Sequence, residues 1–252
     1  MSVLQNSNAI TPVSGFELKS VRFNDDDSAY MSRTPSVAGN RKTWTVSFWF
    51  KLANRAAGNH SVQMLFKAGT AGQNSINNLF SVKLNPDMIQ ISSNNDIVLK
   101  TNRLFRDFSA WYHMTVVMDT TQATAADRFK IYINGVRETS FATDNISTYV
   151  TLNLDTAVNN TVLTQFGYDG DTTYTDGYQA EAYLLDGSAV GPETFGETNE
   201  NTNQWQPKNP TDIKEAVTFG TNGFYLPFSN DALATSFTDS TEGRAVEIIG
   251  NV

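Results

Sequence analysis

Apolar and polar residues alternate in short runs along most of the chain, and turn-forming residues separate the runs. The strongest run is "TWTVSFWFKL" (43–52). Trp44, Val46, Phe48 and Phe50 share one face at a period of two, with Thr45, Ser47, Trp49 and Lys51 on the other. In "RFKIYING" (128–135), Phe129, Ile131 and Ile133 alternate with Lys130, Tyr132 and Asn134. Asn134-Gly135 then supplies the positive-φ pair of a hairpin, with 135–141 as the return strand. The same pattern predicts strands over 18–23, 29–33, 62–68, 78–84, 88–93, 96–100, 111–119, 161–167, 178–187 and 222–228. One short helix is predicted over 190–197, "VGPETFGE", from a proline in its first turn followed by glutamate. No stretch sustains a helical period. The pattern predicts an all-β chain, an antiparallel two-sheet sandwich over 18–228. Residues 1–17 read as an extended arm and 229–252 as a tail poor in apolar residues until "AVEIIG".

Composition sharpens this picture. The 252 residues suit one all-β domain, and asparagine, threonine, serine and aspartate carry most of the polarity, which favours strands and turns over helices. There is no cysteine, so disulfides and thiolate metal sites are excluded. The net charge of −8, without a basic block, argues against nucleic-acid and anionic-membrane partners. No apolar run approaches a membrane span, and "MSVLQNSNAITPVSGF" has neither the basic start nor the apolar core of a signal peptide.

Candidate chemistry is confined to a few places. Asp25-Asp26-Asp27 read as a turn joining 18–23 to 29–33, since three successive carboxylates in extended chain cannot converge on one ion. Asp169, Asp171 and Asp176 in "YDGDTTYTDG" alternate around Gly170 and Gly177 and are the better candidate metal ligands, although the twelve-residue calcium-loop pattern is absent. Tyr168, Tyr174 and Tyr178 surround the same loop. With Trp49 they are candidate platforms for sugar rings, the alternative for each being ordinary packing. A glycosidase needs two facing carboxylates. Glu181 and Asp186 are five residues apart in one strand, which puts them on opposite faces, so hydrolysis is not expected. His60 and His113 are too few for a histidine metal site, and His113 reads as a packed or hydrogen-bonded residue.

Four segments together resemble a known group: "VRFNDDDSAYMSRTPSVAGNRKTWTVSFWFKL", "WYHMTVVMD", "FKIYINGVRE" and "FGYDGDTTYTDGYQAEAYLLDGSAVGPETFGE". In order and spacing they resemble the concanavalin A-like lectin/glucanase superfamily, in its laminin-G or pentraxin-like branch, and most of all the form carried by virion proteins of tailed bacteriophages. The resemblance implies a jelly roll. It also implies a non-enzymatic virion part, a capsid decoration or a head or tail appendage at the virion surface, assembled in the host cytoplasm. That part would dock on other virion proteins through the arm or tail as symmetric copies, and could bind host-surface glycans. A lectin-like glycan-binding module without a virion role is the alternative, and a glycoside hydrolase a more distant one. Relatives hold calcium at the sandwich rim, so the resemblance points to Asp169, Asp171 and Asp176 for a calcium ion, while no cofactor is required. The short tail after Phe228 and the brief arm before residue 18 depart from the family pattern.

Overall fold

A computed structural model describes residues 16, 18–53, 62–70, 72–73, 75–93, 96–171, 173–228, 239, 241 and 247–249. In chain order the strands are β1 (Ser20–Phe23), β2 (Tyr30–Arg33), β3 (Thr43–Leu52), β4 (Gln63–Gly69), β5 (Leu79–Leu84), β6 (Ile89–Ser93), β7 (Asp96–Thr101) and β8 (Tyr112–Asp119). They continue as β9 (Phe129–Ile133), β10 (Val136–Arg137), β11 (Phe141–Asp144), β12 (Thr164–Phe166), β13 (Gly177–Asp186), β14 (Gly196–Thr198), β15 (Trp205–Pro207), β16 (Phe224–Leu226) and β17 (Glu247–Ile249). Helices are short: α1 (Ala125–Arg128), α2 (Ile146–Tyr149) and α3 (Pro210–Ala216).

The strands form the expected sandwich of two antiparallel sheets. A seven-stranded sheet runs β1-β13-β3-β8-β9-β10, with β16 also on β13. An eight-stranded sheet runs β11-β7-β6-β5-β4-β12-β2-β17. Between them lies an aromatic core: Trp44, Phe48 and Phe50 from one sheet meet Phe66, Phe80 and Phe166 from the other. Trp44 stands edge-on to Phe80 at 5.1 Å, and Phe48 edge-on to Phe166 at 6.1 Å. Each such ring contributes about 1.5–3 kcal/mol by leaving water.

Several expectations change. The predicted helix at 190–197 is a single 3-10 turn, Pro192–Thr194, that leads directly into β14, because so short a run cannot offset the cost of nucleating a helix. The return strand after Asn134-Gly135 keeps only Val136–Arg137 in register, and the chain then crosses to the other sheet as β11. The turn itself forms as read, with φ of 49° at Asn134 and 78° at Gly135. Gly135 is needed twice, since a Cβ there would also lie 2.5 Å from the Trp205 ring. Helix α3 was not anticipated, although Asn209 caps it by accepting from the Thr211 N–H at 2.9 Å and Pro210 opens its first turn. In the tail, β17 pairs with β2.

The polar face of β3 is the largest surprise. Thr45, Ser47 and Trp49 are buried, because the chain after β13 folds back across that side of the sheet. A second apolar cluster forms there from Tyr183, Leu185, Phe195, Ile213 and Tyr225. One carboxylate anchors this return. Asp186, 6% exposed at the end of β13, accepts from the Asn40 N–H at 2.6 Å, the Asn222 N–H at 2.9 Å and the Asn159 side-chain amide at 3.1 Å. Replacing Asp186 with alanine leaves the buried Asn222 N–H and the part-buried Asn40 N–H without their acceptor, at about 1–3 kcal/mol for the buried one and less for the other. The expected outcome is a lower urea midpoint at unchanged slope, a loss of roughly 2–5 kcal/mol, read by equilibrium unfolding.

Candidate functional site

Strand parity gives the eight-stranded sheet a polar outward face. Core residues Phe80, Val82 and Leu84 of β5 leave Ser81 and Lys83 on the other side, and Ile89 and Ile91 of β6 leave Gln90 and Ser92 there. Register then builds rows. Ser32, Gln165, Lys67, Ser81 and Ser92 are successive partners across β2, β12, β4, β5 and β6. Lys83, Gln90 and Lys100 are partners across β5, β6 and β7.

The loop joining β12 to β13 closes over one end of this face. Tyr168 and Tyr174 form an isolated bridge and stack at 4.3 Å with 11° between their planes. Tyr30 of β2 completes a trio, 4.9 Å from Tyr168. All three rings are half-buried. Beneath them Lys67, 2% exposed, donates to the Asp169 carbonyl and to Gln165 Oε1. Burial pulls the Lys67 and Lys83 ammonium groups below the ordinary lysine range, and Asp169 opposes this in both. Burial, with help from Tyr174 and Asp169, pushes the Tyr168 hydroxyl up to about 12, which keeps it a donor; it bonds the Asp171 carbonyl at 3.1 Å. Ser32, Ser81, Gln90, Ser92 and Gln165 of the rows are buried, so the groups that reach solvent here are the three rings and the Lys83 and Lys100 ammonium groups, a set able to meet a polyhydroxylated ligand. Tyr30, Lys67, Lys83, Gln90 and Gln165 were not singled out from the sequence, although period-two parity already put Lys83 opposite the core.

The three loop aspartates are not gathered into one site. Asp169 uses Oδ1 to accept from the N–H groups of Asp171 and Thr173, and Asp171 is exposed. Asp176 is buried and ion-paired with Arg22 at 2.5 Å. Burial raises its carboxyl, and Arg22 counteracts the rise. Among the described residues no three carboxylate or histidine groups could hold a metal, and the Lys67 ammonium beside Asp169 repels a cation. The residues present do not fit calcium. Asp25, Asp26 and Asp27 form the expected turn, closed by Ser28 N–H to Asp25 O and Ala29 N–H to Asn24 O, both 3.1 Å.

The remaining aromatic candidates separate. Tyr178 lies on the other sheet, with Arg22 over its ring at 5.1 Å and Trp111 at 6.4 Å. Trp49 is 4% exposed and stacks on His113 at 4.9 Å, so it is a packing residue and not a surface platform. His113 accepts from the Trp205 indole N–H at Nδ1, 2.9 Å, so its proton sits on Nε2, 2.8 Å from Ser47 Oγ. That tautomer cannot remove a proton from Ser47, and burial lowers the imidazole to about 3. His60 lies outside the described residues.

Glu181 and Asp186 occupy opposite sides of β13. Glu181 has φ of 49° at the bulge where β13 exchanges one edge partner, β1, for another, β16. Its carboxyl accepts from the hydroxyls of Tyr183 at 2.8 Å and Tyr225 at 2.9 Å. Burial raises it from the usual 4.5 to about 7. Each carboxyl is spent on internal hydrogen bonds, so the two do not make a glycosidase pair.

Comparison with known proteins agrees with this architecture. A family model described as the Concanavalin A-like lectin/glucanases superfamily matches residues 24–183, and the chain belongs to that superfamily. No curated protein matches the chain. Among solved structures, a Bacteroides ovatus "putative carbohydrate binding protein" is similar at 11% identity and a TM-score of 0.56, over 93% of this chain and 60% of that one. A heptameric SAP-like pentraxin from Limulus polyphemus is similar at 15% identity and a TM-score of 0.46, over 68% and 76%. Domains LG4-5 of the mouse laminin alpha1 chain are similar at 11% identity and a TM-score of 0.44, over 80% and 47%. The chain thus spans less than two thirds of the Bacteroides and laminin structures.

Two measurements check the electrostatics. Millimolar calcium, compared with chelator, is expected to leave the melting temperature unchanged; a saturable rise would contradict the ligand geometry described for Asp169, Asp171 and Asp176. For Glu181, the folded state holds the proton more tightly than the unfolded chain, so stability falls as pH rises from 4.5 to about 7. His113 has the opposite sign: its depressed value makes stability fall as pH drops from 6.5 towards about 3. Glu181→Gln removes only the first effect. Its stability gain over the parent is expected to be near zero below pH 4.5 and to reach about 3 kcal/mol above pH 7, read by urea unfolding at each pH.

Proposed function

We propose that this member of the superfamily is a non-enzymatic carbohydrate-binding module, its ligand lying on the outward face of the eight-stranded sheet beneath the 167–176 loop. The observation that carries the reading is the trio Tyr30, Tyr168 and Tyr174, stacked at one end of a face lined by Lys67, Lys83, Gln90 and Gln165. Half-buried rings offer apolar surface to the C–H face of a sugar, and the partly exposed Lys83 ammonium meets its hydroxyls, while the buried Gln90, Gln165 and Lys67 support the surface from beneath. The lectin-like fold supports the reading, and so does the absence of a facing pair in Glu181 and Asp186. A bacteriophage virion setting is compatible with it. Docked through residues 1–17 in symmetric copies, the module would turn a weak single site into firm attachment to a host surface by avidity.

The test is affinity electrophoresis through gels containing soluble polysaccharides. Retardation is expected in at least one gel, and Tyr174→Ala is expected to weaken it about tenfold, equivalent to roughly 1.4 kcal/mol, without loss of fold by circular dichroism. No retardation in any gel, or equal retardation of the variant, would sink the reading.

A further inference from the structure

The same outward face carries three lysines in a chain whose net charge is −8. Lys83 and Lys100 flank Gln90 in one cross-strand row, and Lys67 lies in the neighbouring row between Gln165 and Ser81. Among the described residues none of the three forms an ion pair. Lys67 is nearly inaccessible, yet its ammonium donates only to neutral oxygens, the Asp169 carbonyl and Gln165 Oε1 at 3.3 Å. A buried ammonium without a carboxylate in direct contact is costly, and burial accordingly lowers both Lys67 and Lys83. Lys100 adds to the repulsion at Lys83. The acidic groups that oppose this are Asp169 and Asp171; Asp169 commits its carboxylate Oδ1 to two backbone N–H groups of its own loop. One further polar atom awaits a partner on this side: Ser32 Oγ, 1% exposed and opposite Gln165 in register, makes no hydrogen bond among the described residues.

We infer that the face selects an acidic saccharide, one bearing a carboxylate, with Lys83 and Lys100 holding the acidic group across Gln90 and the tyrosine trio taking the sugar ring. This rests on the carbohydrate-binding reading and adds the charge of the ligand. Ammonium groups partly withdrawn from water gain more from an anion than exposed ones do, because less hydration is lost when the pair forms. Three lysines match one or two acidic groups. They do not make a phosphate track, and the overall negative charge repels a long polyanion such as nucleic acid.

The experiment is calorimetric titration with a panel of oligosaccharides containing uronic or sialic acid, each beside its carboxyl-reduced neutral form, and with an oligothymidylate. At least one acidic oligosaccharide is expected to bind, with its reduced form at least tenfold weaker. The double variant Lys83→Met, Lys100→Met, which keeps the side-chain stems, is expected to lose that tenfold for the acidic form and nothing for the reduced one. Tyr174→Ala is expected to weaken both. Equal binding of acidic and reduced forms overturns the charge selection and leaves the carbohydrate reading intact. Binding of neither form overturns both. Oligothymidylate binding tighter than any oligosaccharide, with the same lysine dependence, overturns the inference in favour of nucleic acid. A ligand-free readout stands beside these: Lys67→Met is expected to raise the melting temperature by removing a buried charge that Asp169 and Asp171 only partly compensate. A fall would show that the two neutral oxygens already satisfy Lys67, and would remove it from the proposed anion site.

Discussion

The sandwich depends on a carboxylate buried where three loops meet. Asp186 ends β13 and holds the backbone of Asn40 ahead of β3, the side chain of Asn159 ahead of β12, and the backbone of Asn222 ahead of β16. Charge-assisted bonds to backbone N–H groups are stronger than neutral ones and fix direction as well as distance. The fit is close enough that a Cβ on Gly39 would lie 1.9 Å from the carboxylate, so a glycine is required opposite it. Both sheets inherit their relative placement from this point, since β3 and β13 belong to one and β12 to the other.

The two sheets then have different fates. The segment from 187 to 219 crosses the outer side of the seven-stranded sheet, and the Trp49–His113–Trp205 stack holds it there through a neutral imidazole that is donor on one nitrogen and acceptor on the other. Burial suits this histidine only while it is uncharged, which makes it a structural group. The eight-stranded sheet carries its polar rows on the corresponding side, capped at one end by the tyrosine-bearing loop. A sheet covered on one face can afford apolar and aromatic residues there. The rows of the eight-stranded sheet instead carry polar side chains, with Lys67, Gln90 and Gln165 buried and Lys83 partly exposed.

Strain and shifted ionisation also occur away from the face where the binding reading places the ligand. Glu181, with its positive φ and raised carboxyl, marks the point at which β13 changes partner from β1 to β16, and its two tyrosines, on β13 and β16, pack against the covering segment. This is a case in which a perturbed carboxyl is explained by topology. The lysines differ, because burial lowers them while Asp169, close by without a direct ion pair, only partly offsets the cost.

Much of the fold was legible in the sequence. Period-two alternation located β3, β5, β8, β9 and β13 nearly to their ends, and Asn134-Gly135 announced its turn, because side-chain parity and backbone dihedrals are local properties. The acidic triplet at 25–27 was also readable as a turn from local geometry alone. What local pattern could not show was which second surface each strand would meet. Trp49 could be a packed or a surface aromatic until the segment after β13 covered it, and Asp176 was a candidate metal ligand until Arg22, 154 residues away, paired with it. Tyr178 parted from Tyr168 and Tyr174 because the loop between them passes from one sheet to the other. The sequence by itself determined the strands, their inward faces and the all-β class, through alternation and turn chemistry. Only the tertiary structure decided which outward faces are covered and which polar side chains converge, because cross-strand register joins residues that are far apart in the chain.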